Sequence, residues 1–316
     1  MSKPLWTQKE DIGPTARMNA GMAYDVIRRR AVLFGGQAAP GLLNDTWVWN
    51  GELWTQLEDI GPSARAANAL AFDSTRERIV LFGGVAGSTV LADTWEWDGT
   101  EWTQMADTGP SSRQGHDMTF DSKIKRVVLF GGMNQNNQAF GDTWSWDGTE
   151  WTQEQDTGPS ARANHKLAYD AVRDRTVLFG GSTIQSYQVD TGSFWTGHHY
   201  ETHYSYYFLN DTWEWDGSQW SRVADTGPAP RGRHGMGFDG TRVLLFGGQG
   251  SAYFGDTWDW DGKHWTQLQD IGPGPRAPAG MAYDSDRGRS VLFGGVSQNV
   301  AYLGDTWELY EHPEPD

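Results

Sequence analysis

The 316-residue chain contains no cysteine. Disulfides, thiolate nucleophiles and Cys-ligated zinc or iron–sulfur centres are therefore excluded, and either redox compartment is compatible with it. Positive charge is scarce: 25 Lys and Arg stand against 41 Asp and Glu, a formal net charge of −16. A general nucleic-acid binder needs the opposite balance to neutralise phosphates, as does a protein that docks on anionic membranes, so neither partner is expected. No run approaches the ~18 apolar residues of a membrane span. The opening Met1-Ser2-Lys3-Pro4-Leu5-Trp6 has no apolar core of a secretory signal, so the expected location is cytoplasmic. No sustained helical period occurs, and Gly-x-Ser-x-Gly, His-Glu-x-x-His and P-loop signatures are missing.

What is present is glycine (40 residues) and tryptophan (18), a combination that suggests many tight turns around large apolar plugs. Four markers recur six times. An Arg stands eight residues before the Asp of an aromatic-Asp pair: Arg17, Arg65, Arg113, Arg162, Arg231 and Arg276. An apolar run ends in Phe-Gly-Gly, at Gly35-Gly36, Gly83-Gly84, Gly131-Gly132, Gly180-Gly181, Gly247-Gly248 and Gly294-Gly295. Asp-Thr-Trp begins at Asp45, Asp93, Asp142, Asp211, Asp256 and Asp305, and a further Trp with a polar follower stands at 6, 54, 102, 151, 220 and 265. The typical period of 48–49 residues is that of a four-stranded propeller blade.

Each unit reads as four short strands, A to D. In the second unit A is expected near Ala66–Phe72, B at Arg78–Phe82, C at Thr94–Trp97 before an Asp98-Gly99 turn, and D at Glu101–Met105. The succession of Arg, strand, apolar-Gly-Gly, aromatic strand and Trp strand resembles the kelch repeat over about residues 5 to 310. The expected fold is all-β: a six-bladed kelch-type β-propeller with four antiparallel strands per blade. The blades fall at 17–57, 65–105, 113–154, 162–223, 231–268 and 276–310. The chain starts with a D strand and ends with a C strand, so residues 5–9 should complete blade 6 and close the ring.

Seventeen of the 18 Trp occupy repeat positions; only Trp195 does not. Such regularity indicates packing between blades. The Asp of Asp-Thr-Trp and the Asp before each Gly-Pro are expected to cap turns through their side chains.

Function is sought where the copies differ. The B–C loop of blade 4, residues 182–209, is about 20 residues longer than its counterparts and carries Trp195, Tyr200 and Tyr204 together with His198, His199, Glu201 and His203. Its length and aromatic density suggest a hairpin or flap leaning over the axial pocket. Three further histidines, His116, His165 and His234, share one place three residues after the blade Arg in neighbouring blades. Two readings stay open for them. They satisfy backbone groups between blades, or they hold a divalent metal ion or move protons, with His198, His199, His203 and Glu201 as further metal candidates. The six repeat Arg likewise either hold blades together or form an anion site. In interaction-type kelch proteins the matching Arg binds acidic peptide carboxylates, so the resemblance implies such a site here, strengthened by the extra Arg233. Asp117 and Lys166, unusual at their repeat position, are expected to be polar pocket residues.

A kelch fold does not fix function. The family includes interaction scaffolds, copper radical oxidases, sialic acid mutarotases and iron-dependent specifier proteins. The copper chemistry requires a Cys-derived modified Tyr, which this chain cannot supply, and the Glu/Asp/His segment of the specifier proteins is not found. The leading expectation is a binding propeller that takes a small anionic molecule or an acidic peptide at the axial pocket on the Arg and B–C-loop face. The alternative is a small-molecule enzyme, metal-dependent, using the clustered His under the blade-4 flap.

Overall fold

The structure, a computed structural model, describes residues 4–9, 12–57, 60–105, 108–155, 157–191, 198–268 and 271–311. Six antiparallel four-stranded sheets are arranged in sequence, each ordered A-B-C-D. Blade 1 comprises Gly21–Asp25, Arg30–Phe34, Thr46–Trp49 and Trp54–Gln56; the other blades repeat this plan. The A strands of successive blades touch one another all the way round, including blade 6 on blade 1. The inner strands thus form the wall of the axis.

Closure follows the expected pairing. Pro4–Gln8 lies antiparallel to Thr306–Glu311, with Trp6 opposite Leu309. In blade 2, strands B and C run Arg78–Phe82 and Thr94–Trp97 as expected, whereas A begins only at Ala69 and D is trimmed to Trp102–Gln104. Strand A starts late because Ala67 adopts a left-handed φ of 54° and Ala66 bridges instead to Val85 in the B–C loop.

Packing between blades explains the sequence markers. The D-strand Trp of every blade donates its indole N–H to the Asp-Thr-Trp threonine of the preceding blade: Trp54 to Thr306, Trp102 to Thr46, Trp151 to Thr94, Trp220 to Thr143 and Trp265 to Thr212. Trp6 makes the same bond to Thr257 at 2.9 Å, so the N-terminal strand is held like a covalently continuous one. The second Trp of each C strand is almost fully buried in blades 1 to 5. Between blades 2 and 3 its indole bonds a buried carboxylate, Trp146 to Glu96 at 2.8 Å, and Arg76 joins the same carboxylate. Blade 3 carries Ser145 in place of that acid, and the buried Trp215 indole N–H of blade 4 has no protein partner. A substitution in one blade is therefore felt in the next.

The Gly-Gly pairs serve the same seams. The first Gly of each pair has φ between 58° and 70°. A Cβ on any of them would come within 2.5–3.0 Å of the backbone oxygen of the next blade's repeat Arg. Only glycine accommodates both the left-handed backbone and that approach.

Candidate functional site

The six repeat Arg are buried, none more than 4% exposed. Each forms a two-point bond with the Asp of its own blade's Asp-Thr-Trp, at 2.5–2.9 Å. Each also donates to the first Gly carbonyl of its blade and, through Nε, to the carbonyl two residues upstream. At least four of the five guanidinium donors are thus used inside the blade. This corrects the anion-site expectation for Arg17, Arg65, Arg113, Arg162, Arg231 and Arg276, whose charges are already neutralised. It also corrects the turn-capping role expected of the Asp-Thr-Trp aspartates. They pair with Arg and additionally accept the neighbouring Trp indole N–H at 2.7 Å. Burial pushes Asp142 up, but the Arg113 guanidinium and Trp144 outweigh it and hold the carboxyl below its usual range; Asp93, Asp211, Asp256 and Asp305 behave alike. Arg113→Ala is expected to cost up to about 3–5 kcal/mol, because the largely enclosed Asp142 loses its cation and keeps only the Trp144 indole. Adding Asp142→Ala should recover part of the loss in a thermal or urea melt. Equal stability of the single and double variants would contradict the pairing.

Two residues beyond each Arg the chain turns inward. Asn19, Ala67, Gly115, Asn164 and Arg233 all take left-handed φ values of 54–64°. The N–H of Ala67, Gly115, Asn164 and Arg233 each donates to the carbonyl of its counterpart in the preceding blade, at 2.9, 3.0, 2.6 and 2.7 Å. The axis is thereby ringed by backbone amides over five blades. Blade 6 carries Pro278 at this place and has no N–H to continue the ring.

Over this ring lies a cavity of about 430 Å³, walled by the inward corners and the B–C loops. Met18, Leu42, Val85 and Met133 give it apolar walls, and Asn19, Gln37, Gln114 and Asn164 supply amides. Arg233 is the one charged residue lining it among the described residues. Its guanidinium reaches only Gln249 Oε1, at 3.4 Å, and no carboxylate pairs with it among the described residues. Asp117 and Lys166 are not in this lining. They pair with each other at 2.9 Å across the seam between blades 3 and 4, where Asp117 also accepts the Leu167 N–H at 2.7 Å.

The strand histidines do not converge. Each imidazole sits edge-on against a phenylalanine of the preceding blade: His116 on Phe82, His165 on Phe130 and His234 on Phe179. The Gly pairs of its own and the preceding blade wedge each one in place. The three therefore occupy three separate seams. His116 Nε2 bonds the Phe82 carbonyl at 3.1 Å, whereas neither ring nitrogen of His165 or His234 has a protein partner. Burial, then the charge of Arg113, lowers His116 to about 3. Burial also takes His165 and His234 well below the ordinary value, with Arg162 and Arg231 as the next causes. These imidazoles are neutral at pH 7. Among the described residues no group of three or more His, Asp and Glu is placed to hold a metal ion, which corrects the divalent-metal expectation for His116, His165 and His234.

The sequence profile of the KLHDC2/KLHL20/DRC7 Kelch-repeats domain matches residues 98–295. The chain belongs to this kelch-repeat family. No curated protein matches the sequence. The matched stretch includes the part that departs most from the kelch pattern, the blade-4 insertion.

The insertion forms a hairpin of Ser182–Asp190 and Tyr200–Phe208. Among the described residues none of the insertion lines the axial cavity. Tyr200 is 64% exposed and stacks on His198. His198 bonds Asp190 through Nδ1, and His203 lies 3.8 Å from Glu201. His199 offers its backbone carbonyl to the Thr191 N–H. Trp195 and the Tyr204 side chain lie outside the described residues. No helix is long and apolar enough to cross a membrane among the described residues.

The pocket residues that sequence reading missed are Asn19, Gln37, Gln114 and Asn164. A signal existed for two of them, since asparagine is enriched at left-handed positions, and Asn19 and Asn164 share a repeat offset with Gly115.

Proposed function

We propose that this kelch propeller is a binding module whose axial pocket takes a small anionic molecule or the acidic side chain of a peptide. The observation that carries this reading is the contrast among its arginines. The six repeat Arg are buried and each is paired with its own blade's aspartate; Arg233 lines the cavity and has no carboxylate partner among the described residues. An unpaired guanidinium among amides and apolar walls favours a carboxylate or phosphate that is partly desolvated there.

Arg233→Gln is the test. Its side chain is half-buried and holds no buried partner, so stability should change by no more than about 0.5 kcal/mol. Binding of citrate, succinate or a fluorescent Glu-rich peptide, followed by anisotropy or calorimetry, should weaken at least about tenfold, and should weaken further as salt is added to the wild type. Equal binding by wild type and variant would sink the reading. The enzyme alternative drew on His116, His165 and His234, and their separate, enclosed positions give it no support.

A further inference from the structure

The blade-4 ribbon is a sheet of two strands, whose first strand is bridged to Ala163 at Ser182. Ser182–Asp190 and Tyr200–Phe208 pair over nine residues without a register shift, a length of about 30 Å at ~3.3 Å per residue. Among the described residues no third strand pairs with either. Natural proteins blunt exposed edges by keeping them short, by bulges, or by placing Lys or Pro on them. The B–C hairpins of blades 1 and 2 are short, with only two residues per strand. The blade-4 ribbon uses none of these devices: neither strand contains Lys, Arg, Pro or Gly. Its second strand presents Tyr200, Tyr206 and Tyr207, each about half or more exposed. A long, regular, aromatic edge left open in this way is suited to accept another strand.

The sequence of that strand indicates which one. Antiparallel pairing of Tyr200–Phe208 with itself, about a two-fold axis at Tyr204, sets Tyr200 opposite Phe208, Glu201 opposite Tyr207, Thr202 opposite Tyr206 and His203 opposite Ser205. Tyr200 then meets Phe208, Tyr204 meets its own copy and Tyr206 meets Thr202, all favourable cross-strand combinations, while Tyr207 lies against Glu201. Glu201, the one carboxylate of the strand, meets no like charge. The same operation on Ser182–Asp190 produces no aromatic pair. We infer that the ribbon is a self-association device: two copies of this chain join edge to edge through Tyr200–Phe208 into a four-stranded antiparallel sheet, an isologous contact. The length of the ribbon keeps the two bodies, each of net charge −16, apart. Association should therefore tighten as salt screens their repulsion, opposite to the salt response expected at the axial pocket.

Sedimentation velocity of the full chain over a wide concentration range gives the test. The wild type should pass from monomer to dimer, and more readily at higher salt. Tyr204→Lys and Tyr204→Glu each place like charges opposite one another at the two-fold and should weaken the dimer about fivefold or more, while the melting transition stays in place. An equimolar mixture of the two variants should regain the dimer, because opposite charges then face each other. A wild type that stays monomeric at every concentration overturns the inference and leaves the edge to an extended segment of a different protein. Variants that dimerise as the wild type does, or a mixture that fails to recover, overturn it as well.

Discussion

A chain lacking residues 1–9 is expected to lose its cooperative thermal transition and to aggregate. The deletion removes Trp6 from a cluster with Phe246, Met281, Leu292 and Leu309, where its ring lies 5.1 Å from Phe246 in an edge-on contact. Loss of a buried Trp side chain alone costs about 3–5 kcal/mol. The deletion also strips Thr306–Glu311 of its outer partner along five residue pairs and leaves Thr257 without the Trp6 indole. The newly bared strand is an unprotected edge at the seam of a ring that otherwise has none between its blades. Against a typical global stability of about 5–15 kcal/mol, these losses leave little. Trp6→Ala is the milder version and should lower the urea midpoint substantially while keeping a single transition. A truncated chain that melts with the wild-type midpoint would contradict closure by the N-terminal strand.

Acid should unfold this protein earlier than its carboxylates require. His116, His165 and His234 are enclosed and neutral, with His116 lowered to about 3 and the other two well below the ordinary value. In the unfolded chain each returns to a pKa of ~6.5. Below that pH the unfolded state binds three protons that the folded state refuses, so stability is complete above about pH 6.5 and falls as pH drops. The loss reaches about 4 kcal/mol by pH 5.5 and continues at up to about 4 kcal/mol per pH unit. Asp93, Asp142, Asp211, Asp256 and Asp305, lowered in the fold by their Arg partners, add their share only below about pH 4. Asn68 occupies the same repeat position in blade 2 without titrating in this range. Replacing the three imidazoles by Asn should therefore flatten the limb between pH 6.5 and 5. Urea midpoints across that range, compared for the two proteins, decide the matter; a wild type with a flat profile would remove the buried-neutral assignment.

Much of this architecture was legible because a repeat states its rule six times. The Arg, Gly-Gly, Asp-Thr-Trp and D-strand Trp markers each have a contact behind them, and the start and end of the chain disclosed the closing strand. The site was less legible. Arg and His residues stood out by chemistry, yet the decisive property of each was its neighbours across a seam: Asp142 beside Arg113, Phe82 against His116. Those contacts link residues far apart in sequence, and periodicity alone does not reveal whether a guanidinium faces an aspartate or an open cavity. Arg233 was found because it breaks the pattern of its blade. The amide ring around it was not, since it is made of backbone groups that any residue carries. The ribbon was recognised as an insertion, and its nine-residue strand pairing followed the expected hairpin.

The most direct test of the axial-pocket proposal is a paired comparison of Arg233→Gln with Arg113→Ala, each followed by anion or acidic-peptide binding and by melting. The account predicts that Arg233→Gln loses binding at least about tenfold with an almost unchanged melt, whereas Arg113→Ala loses up to about 3–5 kcal/mol of stability and, where it remains folded, binds as the wild type does. Binding that survives Arg233→Gln but fails in folded Arg113→Ala would place the anion at the repeat arginines and contradict the account.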